Sequence, residues 1–333
     1  MNQMHRSRRA EYSSMAENYS HRESRPMPIP PAVSSLLTST GKMWSGPSTG
    51  WIGRMKRSYS IALALLLLFG AKTVIAGIRF ELLDRNTVLA RLRACPKNDL
   101  DRQAQLATYF AEVGCPAPAL TLDAARHSKF ANVICTLPGS SPKKIVVGAH
   151  FDHAERGSGA VDNWSGASLL PSLYQALAAI PRKHTFIFVG FWGEERGLLG
   201  SQQYVRRLRK EDLANIDAMV NMDTFAAGPT EFWVGHSDPL LENAAVTLAS
   251  AMKLPIEGIR IEQVSTDSET FREKKIPSIE FCALTQSTRH LLHSPEDQVS
   301  QINQDDYYNA YHLLAAYLAY IDQVVPSRMD AAK

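Results

Sequence analysis

An excess of charge is the first thing this sequence lacks. Lys and Arg outnumber Asp and Glu by only 36 to 33 in 333 residues. Nucleic-acid binding rests on a dense cationic face, so this balance argues against such a partner. A long apolar run is missing too. Ile61–Phe69 spans nine residues before Lys72 interrupts the stretch, whereas a membrane-crossing helix needs about 20. No internal repeat is present, which leaves one domain rather than an array. Cysteine is sparse, with only Cys95, Cys115, Cys135 and Cys282. An even count in an exported chain permits disulfides with three connectivities, and buried free thiols are the alternative. A Cys95–Cys115 pair is disfavoured. Asp99 to Val113 reads as a helix about 22 Å long at 1.5 Å per residue, and cysteines at opposite ends of such a rod cannot close to the roughly 7 Å a disulfide requires.

The small net charge conceals an uneven distribution. Residues 1–76 carry ten Lys or Arg against three Glu, which leaves the remainder at −4. Residues 1–54 are rich in Ser, Pro, Arg and Met without a sustained apolar period, and are expected to be disordered or to be an over-extended start. Residues 55–76 have a basic beginning, Met55-Lys56-Arg57, then the apolar run and the ending Val74-Ile75-Ala76. That is the pattern of a signal peptide cleaved near Gly77. The expectation is an exported protein, periplasmic or secreted, with no stable membrane contact after cleavage. The alternative is tethering by residues 61–78.

From Gly77 onward strands and helices alternate. Asn86–Arg93 and Asp99–Val113 read as helices, Phe130–Leu137 and Ile145–Ala149 as strands, and Ser165–Ala179 as a helix. The strand Thr185–Trp192 leads to a helix over Leu198–Arg209, and the strand Ala218–Met222 ends at Asp223. Glu231–Val234 and Ile276–Cys282 are further strands, separated by a helix at Pro239–Met252, and the closing helix covers Gln304–Val325. Near-continuous apolar strands of this kind are buried on both faces. The fold class is therefore α/β: a three-layer α/β/α domain with a mostly parallel mixed sheet, forming one catalytic domain over 77–333.

Polar residues collect where these strands end. His150 and Asp152 follow one strand, Glu194 and Glu195 the next, and Asp223 a third. Asp162 stands at the mouth of the helix beginning near Ser165, and His293 lies in the loop Leu292–Asp297. Ligands of open α/β sheets bind in the crevice beyond the carboxyl ends of strands. Carboxylates gathered there repel unless cations neutralise them. A mixed His and carboxylate set suits zinc, and a bridging Asp allows two ions about 3.5–4 Å apart. The plain alternative is that Glu194 and Glu195 cap the helix after them, where the dipole favours anions.

Five segments carry a resemblance: Gly-Ala-His-Phe-Asp at 148–152, Val-Asp-Asn-Trp-Ser-Gly-Ala at 161–167, Gly-Glu-Glu-Arg-Gly-Leu-Leu-Gly-Ser at 193–201, Asn-Met-Asp at 221–223 and His-Ser-Pro-Glu-Asp at 293–297. In this order and spacing the sequence resembles the zinc-dependent aminopeptidases related to bacterial secreted leucyl aminopeptidase, from about Asn86 to Asp322. The resemblance implies two Zn²⁺ per chain, with Asp162 bridging them, Glu195 and His293 completing one ion, and His150 and Asp223 the other. It further implies Glu194 as general base, Asp152 as the support of His150, and peptides with a free amino terminus as substrates. The sequence departs from the family at Ser294, where Thr is frequent, and at Ser268, where His usually follows the Asp of a loop near the substrate pocket. His153 and His290 are expected to be solvent or rim residues. Glutaminyl cyclases share the fold, but Asp162-Asn163 followed by Ser165-Gly166 favours a peptidase. A non-catalytic relative would be expected to have lost ligands.

Overall fold

The protein is seen in a computed structural model that describes residues 72–75, 78–124, 128–225, 227–261 and 264–328. These all fall within one compact unit, Leu67–Lys333. The expectations for residues 1–54, and for the leader up to residue 71, lie outside the described residues. Within the expected leader, Lys72–Ile75 (β1) pairs antiparallel with Ile78–Glu81 (β2). Two helices follow, Arg85–Arg93 (α1) and Asp99–Glu112 (α2), each opened by a side chain that accepts a free N–H of the first turn. Asp84 accepts from Thr87 and Asn98 from Asp101, caps typically worth about 1 kcal/mol each.

The strands that follow are Leu120–Ala124 (β3), Ala131–Leu137 (β4), Lys144–His150 (β5), Thr185–Phe191 (β6), Ile216–Met222 (β7), Glu231–Trp233 (β8), Glu257–Ile259 (β9) and Ser278–Cys282 (β10). They form one sheet in the order β3-β4-β6-β5-β7-β10-β8-β9. The middle, β6-β5-β7-β10, is parallel. β3, β4 and β8 run antiparallel to their inner neighbours, so parallel strands carry the site and antiparallel ones flank it.

Side chains alternate across this sheet as a pleat requires. Ile145, Val147, Phe186, Phe188, Val220 and Phe281 point to one face, against helices Ser165–Ala178 (α3), Pro239–Met252 (α6) and Gln304–Val324 (α8). Val146, Ile187, Val189, Phe191 and Met219 point to the other, against Leu199–Arg207 (α4) and Asp267–Arg272 (α7). Helices cover both faces, giving the three layers expected. α3 is buried almost all round, and its hydroxyls are taken up internally: Ser168 meets the Tyr307 hydroxyl at 2.8 Å and Ser172 accepts from Arg91. Cys115 and Cys135 form a disulfide that ties the end of α2 to β4, with Cα atoms 6.4 Å apart, while Cys95 and Cys282 are free. No helix among the described residues is long and apolar enough to cross a membrane.

The expected elements lie within two residues of their observed bounds. Not expected were β1–β3, β9, α7 and the short helix Lys210–Ala214 (α5). The chain passes from β5 through α3 to β6 on one side of β5. It then crosses back through α4 and α5 to β7 on the other. The C-terminal ends of β5, β6 and β7 therefore enclose a topological switch point, the crevice where α/β sheets hold ligands.

Candidate metal centre

His150 is the last residue of β5 and is 1% exposed. Its Nδ1 lies 3.2 Å from the Asp152 carbonyl oxygen and 3.5 Å from Oδ1 of the Asp152 carboxylate. This directs Nε2 into the crevice, 3.3 Å from Asp162 Oδ1 and 3.4 Å from Asp223 Oδ1. The second oxygen of Asp162 faces elsewhere. Oδ2 lies 3.3 Å from His293 Nε2, which is also 3.0 Å from Glu195 Oε2. Two triads result, His150–Asp162–Asp223 and Asp162–Glu195–His293, each with its ligand atoms within 4.8 Å of one another. They share Asp162, one oxygen to each.

The motif around Asp162 is legible as construction. The turn Ala160–Trp164 carries Asp162 into α3. The Asn163 carboxamide accepts from the backbone N–H groups of Gly166 and Thr224 and donates to Met222 O at 2.9 Å. Ser165 Oγ donates to Val161 O and accepts from Phe225 N–H. Asn163 and Ser165 thus fasten the Asp162 turn to the exit of β7, which carries Asp223. Position 166 must be glycine, because a Cβ there would lie 2.5 Å from Asn163 Oδ1 and 2.6 Å from Met222 O.

Glu194 and Glu195 stand in a turn after β6, begun by Gly193 at φ +70°. The Glu194 N–H donates to Asp152 Oδ1 at 3.1 Å, so the residue that supports His150 also sets this turn. α4 begins only at Leu199; its N-cap is Leu198, and no side chain caps it. The helix-cap reading of the two glutamates therefore has no bond to rest on.

Electrostatics agree with a site built for cations. Burial alone would lower His150, but Asp223, Asp152 and Asp162 raise it well above the ordinary histidine value. His293 is likewise depressed by burial, yet Asp162 and Glu195 push it up to about 11. Burial raises Glu194 well above the usual carboxylate range, and Glu195, Asp223 and Asp267 add to this while His150 opposes it. Burial and Asp162 raise Glu195 as well. Among the described residues, Oε1 of Glu195 and Oδ2 of Asp152 are buried with no hydrogen-bond partner, and Nε2 of His150 meets only carboxylate oxygens at 3.3 and 3.4 Å. Orphaned atoms of this kind, in a nitrogen and oxygen donor set arranged as two triads, fit two divalent cations of the zinc type.

The structure brings together every expected ligand, with Glu194 and Asp152 beside them. It also adds residues not foreseen from the sequence. Asp297, four residues after His293, accepts from the N–H groups of Val161 at 2.7 Å and Asp162 at 3.2 Å. His153, expected at the rim, is half-buried and bonded to Asp99, which also pairs with Arg196. His290 is exposed, as expected. Asp267, in the loop that resembled the family's substrate-pocket segment, is fully buried and is pushed up by burial to about 7. Glu280, in β10, is fully buried and accepts hydrogen bonds from Asn221 and Thr266.

The sequence model of peptidase family M28 matches residues 132–318, more than half of the chain. The chain belongs to peptidase family M28. Aminopeptidase YwaD of Bacillus subtilis (strain 168) is 28% identical over 186 residues, 53% of this chain and 40% of that protein. This M28 chain spans about half or less of the length of such relatives. Among solved structures, LapA aminopeptidase of Legionella pneumophila superposes with a TM-score of 0.65 at 20% identity, over 73% of this chain and 72% of that one. BSAP, a zinc aminopeptidase from Bacillus subtilis, gives 0.53 at 25% identity, over 57% and 49%. An Acidobacteriales bacterium glutaminyl cyclase gives 0.62 at 17% identity, over 76% and 99%, so solved aminopeptidases and a glutaminyl cyclase share this fold.

Proposed function

We propose that this M28 chain is an exported zinc-dependent aminopeptidase that removes amino-terminal residues from peptides. The observation that carries the reading is Asp162, whose two oxygens each face a separate His and carboxylate set beside the adjacent Glu194. His150 with Asp223 would hold one zinc ion, Glu195 with His293 the other, and Asp162 both. Bound there, the ions would acidify a water toward neutral pH and offset the negative charge that develops on the peptide carbonyl. Glu194 takes the proton of the attacking water and passes it to the leaving amine. Asp152 keeps His150 oriented through its carbonyl and keeps the Glu194 turn in place through its carboxylate.

The name of Aminopeptidase YwaD and the zinc aminopeptidase BSAP support the substrate class and the metal. The Cys115–Cys135 disulfide supports export, since such bonds persist in oxidising compartments. The fold likeness to glutaminyl cyclases makes cyclisation of an amino-terminal Gln the second reading. Asp162-Asn163 followed by Ser165-Gly166 favours the peptidase over the cyclase, and the two complete triads argue against a non-catalytic relative. Purified protein incubated with aminoacyl reporter amides, and separately with a Gln-initiated peptide, decides between them. Chelator-sensitive release from the amides is expected; cyclisation alone would replace the reading, and turnover unaffected by chelator would end the zinc proposal.

A further inference from the structure

Arg102 lies in the second turn of α2 and is fully buried. A buried arginine normally has a carboxylate partner. None of its hydrogen bonds goes to one. Nε donates to Pro96 O at 3.0 Å, Nη1 to Phe151 O at 3.0 Å, and Nη2 to Ser158 O and to Cys95 Sγ. The guanidinium also lies 5.8 Å from the centroid of the Trp164 ring. The nearby carboxylate of Asp99 is engaged by His153 and Arg196 instead.

The carbonyls that Arg102 holds are not arbitrary ones. Phe151 stands between His150 and Asp152, and Ser158 precedes the turn that carries Asp162. The guanidinium therefore joins the two ends of the loop linking these ligands. Gly159, at φ +56°, leaves room for it, since a Cβ there would come 3.0 Å from Nη1. The same loop reaches the third segment. Ser158 donates through both N and Oγ to Asp297 O, at 2.7 and 2.8 Å, and the Asp297 carboxylate holds the N–H groups of Val161 and Asp162.

We infer that Arg102 is a positioning residue for the metal centre: its fork closes the 151–158 loop and so fixes His150 and Asp162 at the separation that one cation requires. The inference rests on the zinc reading above. Lysine would keep the charge, but a single ammonium cannot span carbonyls on opposite sides as a planar five-donor fork does.

The test uses the full chain, wild type and Arg102→Lys, with zinc affinity read by competition against a chromogenic chelator and melting temperature measured with and without zinc. Groups that orient metal ligands typically contribute about 10- to 100-fold in affinity, so a loss of that size is expected in Arg102→Lys. The zinc-induced rise in melting temperature should shrink with it. A variant whose melting temperature drops equally with and without zinc, at unchanged affinity, would overturn the inference and leave Arg102 a packing residue. If Arg102→Lys fails to fold, Arg102→Gln, whose carboxamide can donate to one of the two carbonyls but cannot span both, takes its place; unchanged zinc affinity in that variant overturns the inference. Wild-type protein that binds no zinc would instead defeat the functional reading itself.

Discussion

Glu194 and Glu195 are neighbours in sequence with different surroundings, so replacing each by Gln separates their roles. Glu195 Oε2 lies 3.0 Å from His293 Nε2, in a triad with Asp162. Burial raises Glu194 first of all, and Glu195, Asp223 and Asp267 add to this while His150 opposes it. In the proposed mechanism Glu194→Gln removes only the proton acceptor, a term worth typically about 10²- to 10⁴-fold. At about 1.4 kcal/mol per tenfold this is roughly 3–5 kcal/mol of barrier, and zinc content should be unchanged. Metal-free stability moves the opposite way from activity. The folded-state value of Glu194 is raised above its ordinary 4.5, so its contribution is present below that pH and is lost as pH rises through the folded value. Gln cannot ionise, and metal-free Glu194→Gln should therefore melt no lower than wild type at pH 8. Glu195→Gln should instead lose zinc, because it takes an anion from the ligand set. Zinc content, melting temperature and turnover are measured for both variants. A capping role would give each a stability loss of about 0.3–1 kcal/mol with turnover retained, and a Glu194→Gln protein of near-normal activity would refute the reasoning.

Asp162→Asn keeps shape but removes the charge that two cations would share, so bound zinc should fall at both sites; metal analysis finding two ions per chain would rule out bridging. His184 lies between Asp322 Oδ1 at 3.1 Å and Asp217 Oδ2 at 3.5 Å. Burial lowers it, but these carboxylates push it up to about 9. Its contribution is thus fully present below about pH 6.5 and fades as pH rises through 9. Thermal melts from pH 6 to 10 should show that slope in wild type and a flatter profile in His184→Gln; equal profiles would remove the assignment. Mature exported protein should begin at or near Gly77, without β1, with Phe80 buried and Leu83 bonded to the Tyr311 hydroxyl still anchoring what remains. Amino-terminal sequencing that finds residues 1–76 retained would exclude cleavage there.

The parallel centre of the sheet was legible because strands buried on both faces must be apolar throughout, and β5, β6 and β7 are. Their polar ends then stood out against those runs. The sheet margins were not legible. β3 reads Leu-Thr-Leu-Asp-Ala with Leu122 largely exposed, and β9 is three residues with Gly258 in the middle, so neither carries a clear period. The candidate ligands were visible because their chemistry is unusual at strand ends. Their supports were not, because Arg102, Asp99 and Asp297 act through bonds to loops 49 to 136 residues away in sequence. The choice of Cys115–Cys135 among the possible pairs needed β4 to be placed beside the end of α2.

The sharing of Asp162 between two triads also ties both to the end of the chain. His150, Asp162 and Asp223 are all synthesised once the chain has passed β7, whereas His293 lies beyond β10. The Asp162 turn is nevertheless held by the carboxylate of Asp297, which follows His293. Non-local parallel pairing is slow to form, and β10 pairs with β7. Neither triad is therefore fully supported until the segment after β10 has joined the sheet, so this fold, unlike a small zinc-nucleated one, has to stand on its own core first.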